Sequence, residues 1–145
     1  MTEVLKIFLT AGLTVFGGVV IYAFGQILLK FFIKPIYEQK KIISEINDTI
    51  IFYANRFGIY KEIHSKAEEV SDKLRSLSTQ LRARTKMIPF YNHFQKCGFV
   101  VPEKDINDAC SALIGLSNSV YHNENNSDHI SRYKETISIK LNIEL

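Results

Sequence analysis

Residues 7–29 read IFLTAGLTVFGGVVIYAFGQILL, 23 residues without a charged side chain, bounded by Lys6 and Lys30. As a helix this stretch is about 34 Å long, enough to cross a hydrocarbon core of roughly 30 Å. It is read as a transmembrane helix, and the rest of the chain becomes a domain held at a membrane surface. Two other readings fit less well. The small residues Ala23 and Gly25 suit a signal-peptide cleavage site, but the apolar run is too long and its head barely basic. A buried helix of a soluble protein is a poor match to so long an uncharged run with lysines at both ends.

Charge orients the span. The chain of 145 residues carries 18 Lys or Arg and 15 Asp or Glu, unevenly distributed. Residues 30–101 hold 13 basic against 7 acidic side chains, and residues 102–145 hold 4 against 7. Lys30, Lys34, Lys40 and Lys41 come closely after the span, whereas Lys6 alone precedes it. Positive charge marks the cytoplasmic side, so the N-terminus is expected outside and the C-terminal part inside, with a bacterial inner membrane as the location. Two cysteines, Cys97 and Cys110, suit a reducing compartment, though they also suffice for one bridge.

At 100° per residue the span has two unlike faces. Leu9, Leu13, Phe16, Val20, Phe24, Ile27 and Phe31 share one side, bulky and suited to lipid. Thr10, Ala11, Thr14, Gly17, Gly18 and Gly25 lie opposite. Small residues let helix backbones approach, and threonine hydroxyls can bond across the contact, so this side is read as a packing face for further copies of the chain. Gln26 flanks it as the one strongly polar side chain of the span. An amide at that depth needs another helix, water in a lumen, or the nearby head groups.

Beyond the span, proline and glycine punctuate the chain. Lys34-Pro35 is expected to kink or break the helix, because proline disfavours helix in the residue before it yet is welcome as the first residue of a new one. The domains are therefore 1–34, the tail and span, and 35–145, a cytoplasmic α-helical domain. A helix from Pro35 to about Phe57 has Ile36, Ile43, Ile46, Ile50, Tyr53 and Phe57 on one side, with Gln39 filling a gap in the stripe, and Gly58 ends it. A helix from about Lys61 to Met87 carries Ile63, Ala67, Val70, Leu74, Leu77 and Leu81, which pairs the two as an antiparallel hairpin. Pro89 stops it, and residues 89–102 read as a short helix and a connection. Pro102 opens a helix with Ile106, Ala109, Cys110, Leu113 and Leu116 inward. After the polar residues 121–129, a last helix over about 129–143 has Ile130, Tyr133, Ile137 and Leu141 on one side. No alternating strand pattern occurs. The fold class is all-α: one N-terminal transmembrane helix and a cytoplasmic bundle of about four helices.

Chemistry is sparse. P-loop, dinucleotide, CxxC and HExxH patterns are absent, so no cofactor and no metal site is expected, and no catalytic residue is assigned. Gly115-Leu116-Ser117-Asn118-Ser119 starts like a nucleophile elbow but lacks the closing glycine and a preceding strand; a small-residue packing face is the better reading. His64, His93, His122 and His129 have no partner at a familiar ligand spacing. Small helical ribonucleases of the HEPN class carry Arg, four to six residues, then His; here Arg56 precedes His64 by eight positions and Arg84 precedes His93 by nine. Arg82, Arg84 and Lys86 form the densest basic stretch. They are candidates to hold lipid or RNA phosphates, a protein partner, or Glu38 or Glu45 of a neighbouring subunit; the plainer reading is a solvated helix end.

Several segments together resemble a family of small bacterial single-pass inner-membrane proteins. They are Gly25-Gln26, Lys34-Pro35-Ile36 with Glu38-Gln39-Lys40-Lys41, Tyr53-Ala54-Asn55, Gln80-Leu81-Arg82-Ala83-Arg84, Ile88-Pro89 and Leu113-Ile114-Gly115-Leu116-Ser117-Asn118. That resemblance covers nearly the whole chain and implies organisation, not an activity. In architecture alone the chain is also similar to the HEPN-like accessory membrane proteins of RNA-targeting type VI-B CRISPR systems, which have one N-terminal span and form pores during antiphage defence. What this implies is a homo-oligomeric membrane effector, with membrane lipid as its surroundings. The alternative is a membrane-tethered binding module that recruits a cytoplasmic protein or RNA through the basic stretch.

Overall fold

The computed structural model describes residues 2–54, 64–120 and 127–145. Among them every regular element is helical: α1 (Thr2–Leu28), a π-helical turn (Leu29–Ile33), α2 (Lys34–Phe52), α3 (His64–Lys86), α4 (Tyr91–Lys96), α5 (Glu103–Ser119) and α6 (Ser127–Leu141). Two compact units divide the chain, Met1–Lys34 and Pro35–Leu145.

Of the kink or break expected at Lys34-Pro35, the break does not occur, and α2 begins at Lys34 beside the expected start at Pro35. Lys34 keeps helical dihedrals (φ −60°, ψ −48°) and its N–H reaches back five residues to the Leu29 carbonyl. Inside an ordinary α-helix Pro35 would lack an N–H to donate, and its ring would press on the carbonyl four residues earlier. A π turn immediately ahead of it changes the hydrogen-bond register there, and the chain passes the proline while still helical. Further on, α2 ends at Phe52, short of the expected Phe57, with Tyr53 N–H closing its last turn on Thr49 O at 3.0 Å. Phe57, Gly58 and Ile63 lie outside the described residues.

The core of the second unit is assembled from one stripe of each long helix. Ile43, Ile46 and Ile50 of α2, Val70, Leu74, Leu77 and Leu81 of α3, Ile106, Leu113 and Leu116 of α5, and Ile130, Ile137 and Leu141 of α6 are buried in one cluster. The start of α2 meets the end of α3, as an antiparallel pair requires, through Glu38 and Arg84. Close backbone packing, however, centres on α5, against α3 and α6. The reason lies in small side chains. Ser78 Oγ donates to the Cys110 carbonyl at 3.1 Å, while Cys110 Sγ sits 3.4 Å from the Ser78 carbonyl, so each of α3 and α5 brings one short side chain onto the other's backbone. On α6, the Tyr133 ring lies over Gly115, where a Cβ would come within 2.6 Å of it. The glycine-led segment 115–119 is thus a packing surface in the last turn of α5, with Ser117 and Ser119 buried.

Two helix ends use a left-handed residue to satisfy their last carbonyls. After α4, Gly98 (φ 75°) lets its own N–H reach Gln95 O and Phe99 N–H reach Phe94 O, both at 3.0 Å, and the Phe94 and Phe99 rings meet edge to face. After α6, Asn142 (φ 54°) plays the same part, with Ile143 N–H on Ser138 O at 3.1 Å.

Candidate functional site

The first candidate is α1 itself. It is the one helix among the described residues that is long and apolar enough to cross a membrane, and none of its residues is buried. Leu9, Leu13, Phe16 and Phe24 of the bulky face are all exposed. On the small face, a Cβ added at Gly17, Gly18 or Gly25 would meet nothing within 4 Å among the described residues. Thr10 and Thr14 donate their hydroxyls to the carbonyls of Lys6 and Thr10 (2.8 and 2.9 Å). Such bonds hide the polar hydrogen inside the helix and leave oxygen lone pairs outward. Ala11 and Gln26 are exposed as well. At the head, Lys6 and Glu3 form an exposed pair at 3.2 Å.

The second candidate is a polar joint at the start of α2. Gln39, only 1% exposed, donates from Nε2 to Thr85 Oγ1 (2.8 Å) and to the Tyr91 hydroxyl (3.0 Å). Thr85 in turn donates to Leu81 O, and Tyr91 donates to Val101 O. One buried amide therefore ties α2 to the end of α3, to α4 and to the irregular connection before α5. Burial pushes the Tyr91 phenol above its ordinary pKa; the Gln39 bond opposes this and Glu103 adds to it. In the sequence Gln39 shows only as a gap in an apolar stripe, because its partners are 46 and 52 residues away.

The basic stretch is split by the fold. Arg84 Nη1 pairs with Glu38 Oε2 of the same chain at 2.6 Å, which uses the acidic residue named as a partner across subunits. Arg82 is exposed and lies by Cys110, where its charge and hydrogen bond oppose the rise that burial gives the thiol pKa. Lys86 is exposed. Of the three, Arg82 and Lys86 are the accessible cations. A further arginine not singled out by the sequence, Arg75, donates to Ser117 Oγ at 3.3 Å and Asn118 Oδ1 at 2.9 Å. Ser117 itself donates to Ile114 O, so its hydroxyl hydrogen is committed to the helix backbone.

A groove of about 570 Å³ lies among α2, residues 98–102 and residues 139–143. Lys140 and Asp105 line it and pair at 2.7 Å, with Asp108 at 3.3 Å from the same ammonium. Asn47, also on its wall, has a buried Oδ1 with no hydrogen-bond partner. Cys97 is exposed, Cys110 buried, and both are free thiols. His93 and His129 are exposed, and no group of His, Cys, Asp and Glu suited to a metal occurs among the described residues. His122 and the side chain of His64 lie outside the described residues.

Comparison of the chain with models of known families, with characterised proteins and with solved structures finds no match.

Proposed function

We propose that this chain is a single-pass membrane protein that self-assembles. In this reading α1 spans a bacterial inner membrane with its N-terminus outside, and copies pack through Thr10, Ala11, Thr14, Gly17, Gly18 and Gly25. The observation that carries the reading is that a helix of 27 residues, without a charge after Lys6, has no buried residue and has glycines with nothing within 4 Å of an added Cβ among the described residues. An apolar helix with no protein around it requires lipid, another helix, or both. Lys30, Lys34, Lys40 and Lys41 on the C-terminal side support a cytoplasmic bundle. Gln26, Thr10 and Thr14 would then lie at the seams or in the lumen of the assembly. A conducting pore, acting as an effector in antiphage defence, is the use to which such an assembly lends itself, and it needs no catalytic group.

The test is the mass of the full-length protein in mild detergent, by native mass spectrometry. A closed homo-oligomer is expected, and Gly18→Leu combined with Gly25→Leu should reduce it to monomer. An unchanged oligomer in that variant would remove the packing face from the argument. The second reading, a tethered module that recruits a cytoplasmic protein or RNA, draws on the exposed Arg82 and Lys86. It expects function to survive exchange of α1 for an unrelated span, which the self-assembly reading does not.

A further inference from the structure

One face of α2 opens on the groove of about 570 Å³ beside residues 98–102 and 139–143. Gln39, Ile43 and Asn47 recur there every four positions, with Lys40 and Ser44 alongside. The polar atoms of this wall are unevenly used. Asn47 Oδ1 is buried with no hydrogen-bond partner, and Asn47 Nδ2 has none among the described residues. A fold avoids burying an amide oxygen in this way unless a donor comes from elsewhere. Gln39, 1% exposed, spends both N–H hydrogens on Thr85 and Tyr91, and its Oε1 accepts no hydrogen bond among the described residues. The wall therefore offers amide oxygens that await donors.

Ring and charge narrow the occupant further. Phe99 lines the groove and is 58% exposed; its ring meets Phe94 edge to face. The Lys140 ammonium is taken by Asp105 and Asp108. Lys40 is exposed and forms no ion pair among the described residues, so it is the cation open to an anion in this groove. Lys40 and Asn47 are seven residues apart on α2, two turns along one side, and so about 10 Å apart along the axis. A mononucleotide bridges such a separation from base edge to phosphate.

We infer that this groove binds an adenine nucleotide, with the base edge on Asn47, the base face on Phe99 and the phosphate at Lys40. An asparagine amide matches adenine twice over: Oδ1 takes an N6 hydrogen while Nδ2 donates to N7. The terminal torsion of asparagine is broad, so the amide can tilt its oxygen towards an entering donor. Aromatic rings serve as stacking platforms for bases. The volume lies within the range of small-molecule sites. A water molecule would satisfy Asn47 Oδ1 and leave Phe99 and Lys40 without a role. The groove belongs wholly to residues 35–145, so the inference stands or falls independently of how α1 is used.

The full-length protein in mild detergent would be titrated with AMP by calorimetry. Saturable binding of one AMP per chain is expected, with a rise in the thermal midpoint as AMP is added. Purine riboside 5′-monophosphate, which lacks the N6 amine, should bind at least about tenfold more weakly. Asn47→Ala should weaken AMP by a similar factor and remove the preference over that analogue. Ser44→Phe, at an exposed position on the groove wall, should block AMP by filling the groove, and it serves if Asn47→Ala fails to fold. Lys40→Gln should weaken AMP severalfold and leave adenosine unchanged. Absence of saturable AMP binding overturns the inference, and so does AMP binding that survives both Asn47→Ala and Ser44→Phe. Equal affinity for AMP and the amine-free analogue overturns the role of Asn47. Equal losses of AMP and adenosine in Lys40→Gln overturn the role of the lysine. CMP bound as tightly as AMP overturns the choice of adenine. An adenylate hexamer bound at least about tenfold more tightly than AMP makes the ligand RNA and overturns the free nucleotide.

Discussion

α1 and α5 are both long helices with many apolar residues, and their surroundings are opposite. α1 buries nothing; α5 buries eight of its side chains, among them Ile106, Leu113 and Leu116. The sequence difference behind this is patterning. In α5 apolar residues recur every three or four positions and charged or polar ones fill the rest, so one face finds partners within the chain. In α1 no charge interrupts the apolar run from Ile7 on any face, so its sequence marks no single side for burial, and none of its residues is buried. A helix that cannot be satisfied internally is a statement about the environment, and one that can is a statement about the fold.

The largest test of this contrast is a pair of truncations. Leu113→Ala should destabilise the bundle by about 3 kcal/mol, from lost burial and a residual cavity. Leu13→Ala, an equal change of side chain on α1, should leave bundle stability within about 0.5 kcal/mol. The readout is alkylation of buried Cys110 in a Cys97→Ser background during urea titration of the full chain in mild detergent. A comparable loss in both variants would mean that the bundle depends on α1, and the contrast would collapse.

A sharper test addresses how α5 achieves its closeness. Gly115→Leu sets a side chain where the Tyr133 ring lies, and should cost roughly 2 kcal/mol through overpacking. Adding Tyr133→Ala should recover part of that cost, because residues in contact are not additive. The same substitution at Gly18, which meets nothing within 4 Å among the described residues, should leave the urea midpoint unchanged while it disturbs assembly. Additive costs at Gly115 and Tyr133 would show that the ring does not set the α5–α6 distance.

Range decides how much of this is legible in the sequence. The stripes of α2, α3, α5 and α6 are readable because each repeats within its own helix; Ile106, Ala109, Cys110, Leu113 and Leu116, expected inward on α5, are all buried. The helical passage through Pro35 is not, because the effect of a proline depends on whether the preceding turn can change register. Gln39 shows half of its role: an amide in an apolar stripe reveals that a partner is required but not that Thr85 and Tyr91 supply it. The sequence offers Glu38 to Arg84 only across subunits; that the same chain brings them together over 46 residues is not legible for the same reason. Gly98 and Phe90 are illegible for a different reason, as both are decided by a dihedral angle.

The smallest expected effect concerns pH, and it separates the bundle from α1 because the groups involved all lie beyond Pro35. Burial raises the pKa of the Cys110 thiol and of the Tyr91 phenol, while Asp105 first and Asp108 second raise that of the Lys140 ammonium. In each case the folded state holds its proton more tightly than the unfolded chain, so stability is fully present below the unfolded pKa and falls as pH rises. Burial lowers the pKa of Lys134, which works in the opposite direction. With three groups against one among the described residues, the urea midpoint, followed here by circular dichroism at 222 nm, should decline with rising pH, starting with the thiol at about pH 8.5 and continuing as Tyr91 and Lys140 join above about pH 10. Cys110→Ala lowers stability at every pH, yet it should flatten the first part of that decline, because the group responsible for it is gone. If the variant keeps the parent slope between about pH 8.5 and 9.5, the contacts with Ser78 first and Arg82 second compensate for burial, and the thiol at the centre of the bundle is no harder to ionise than one in water.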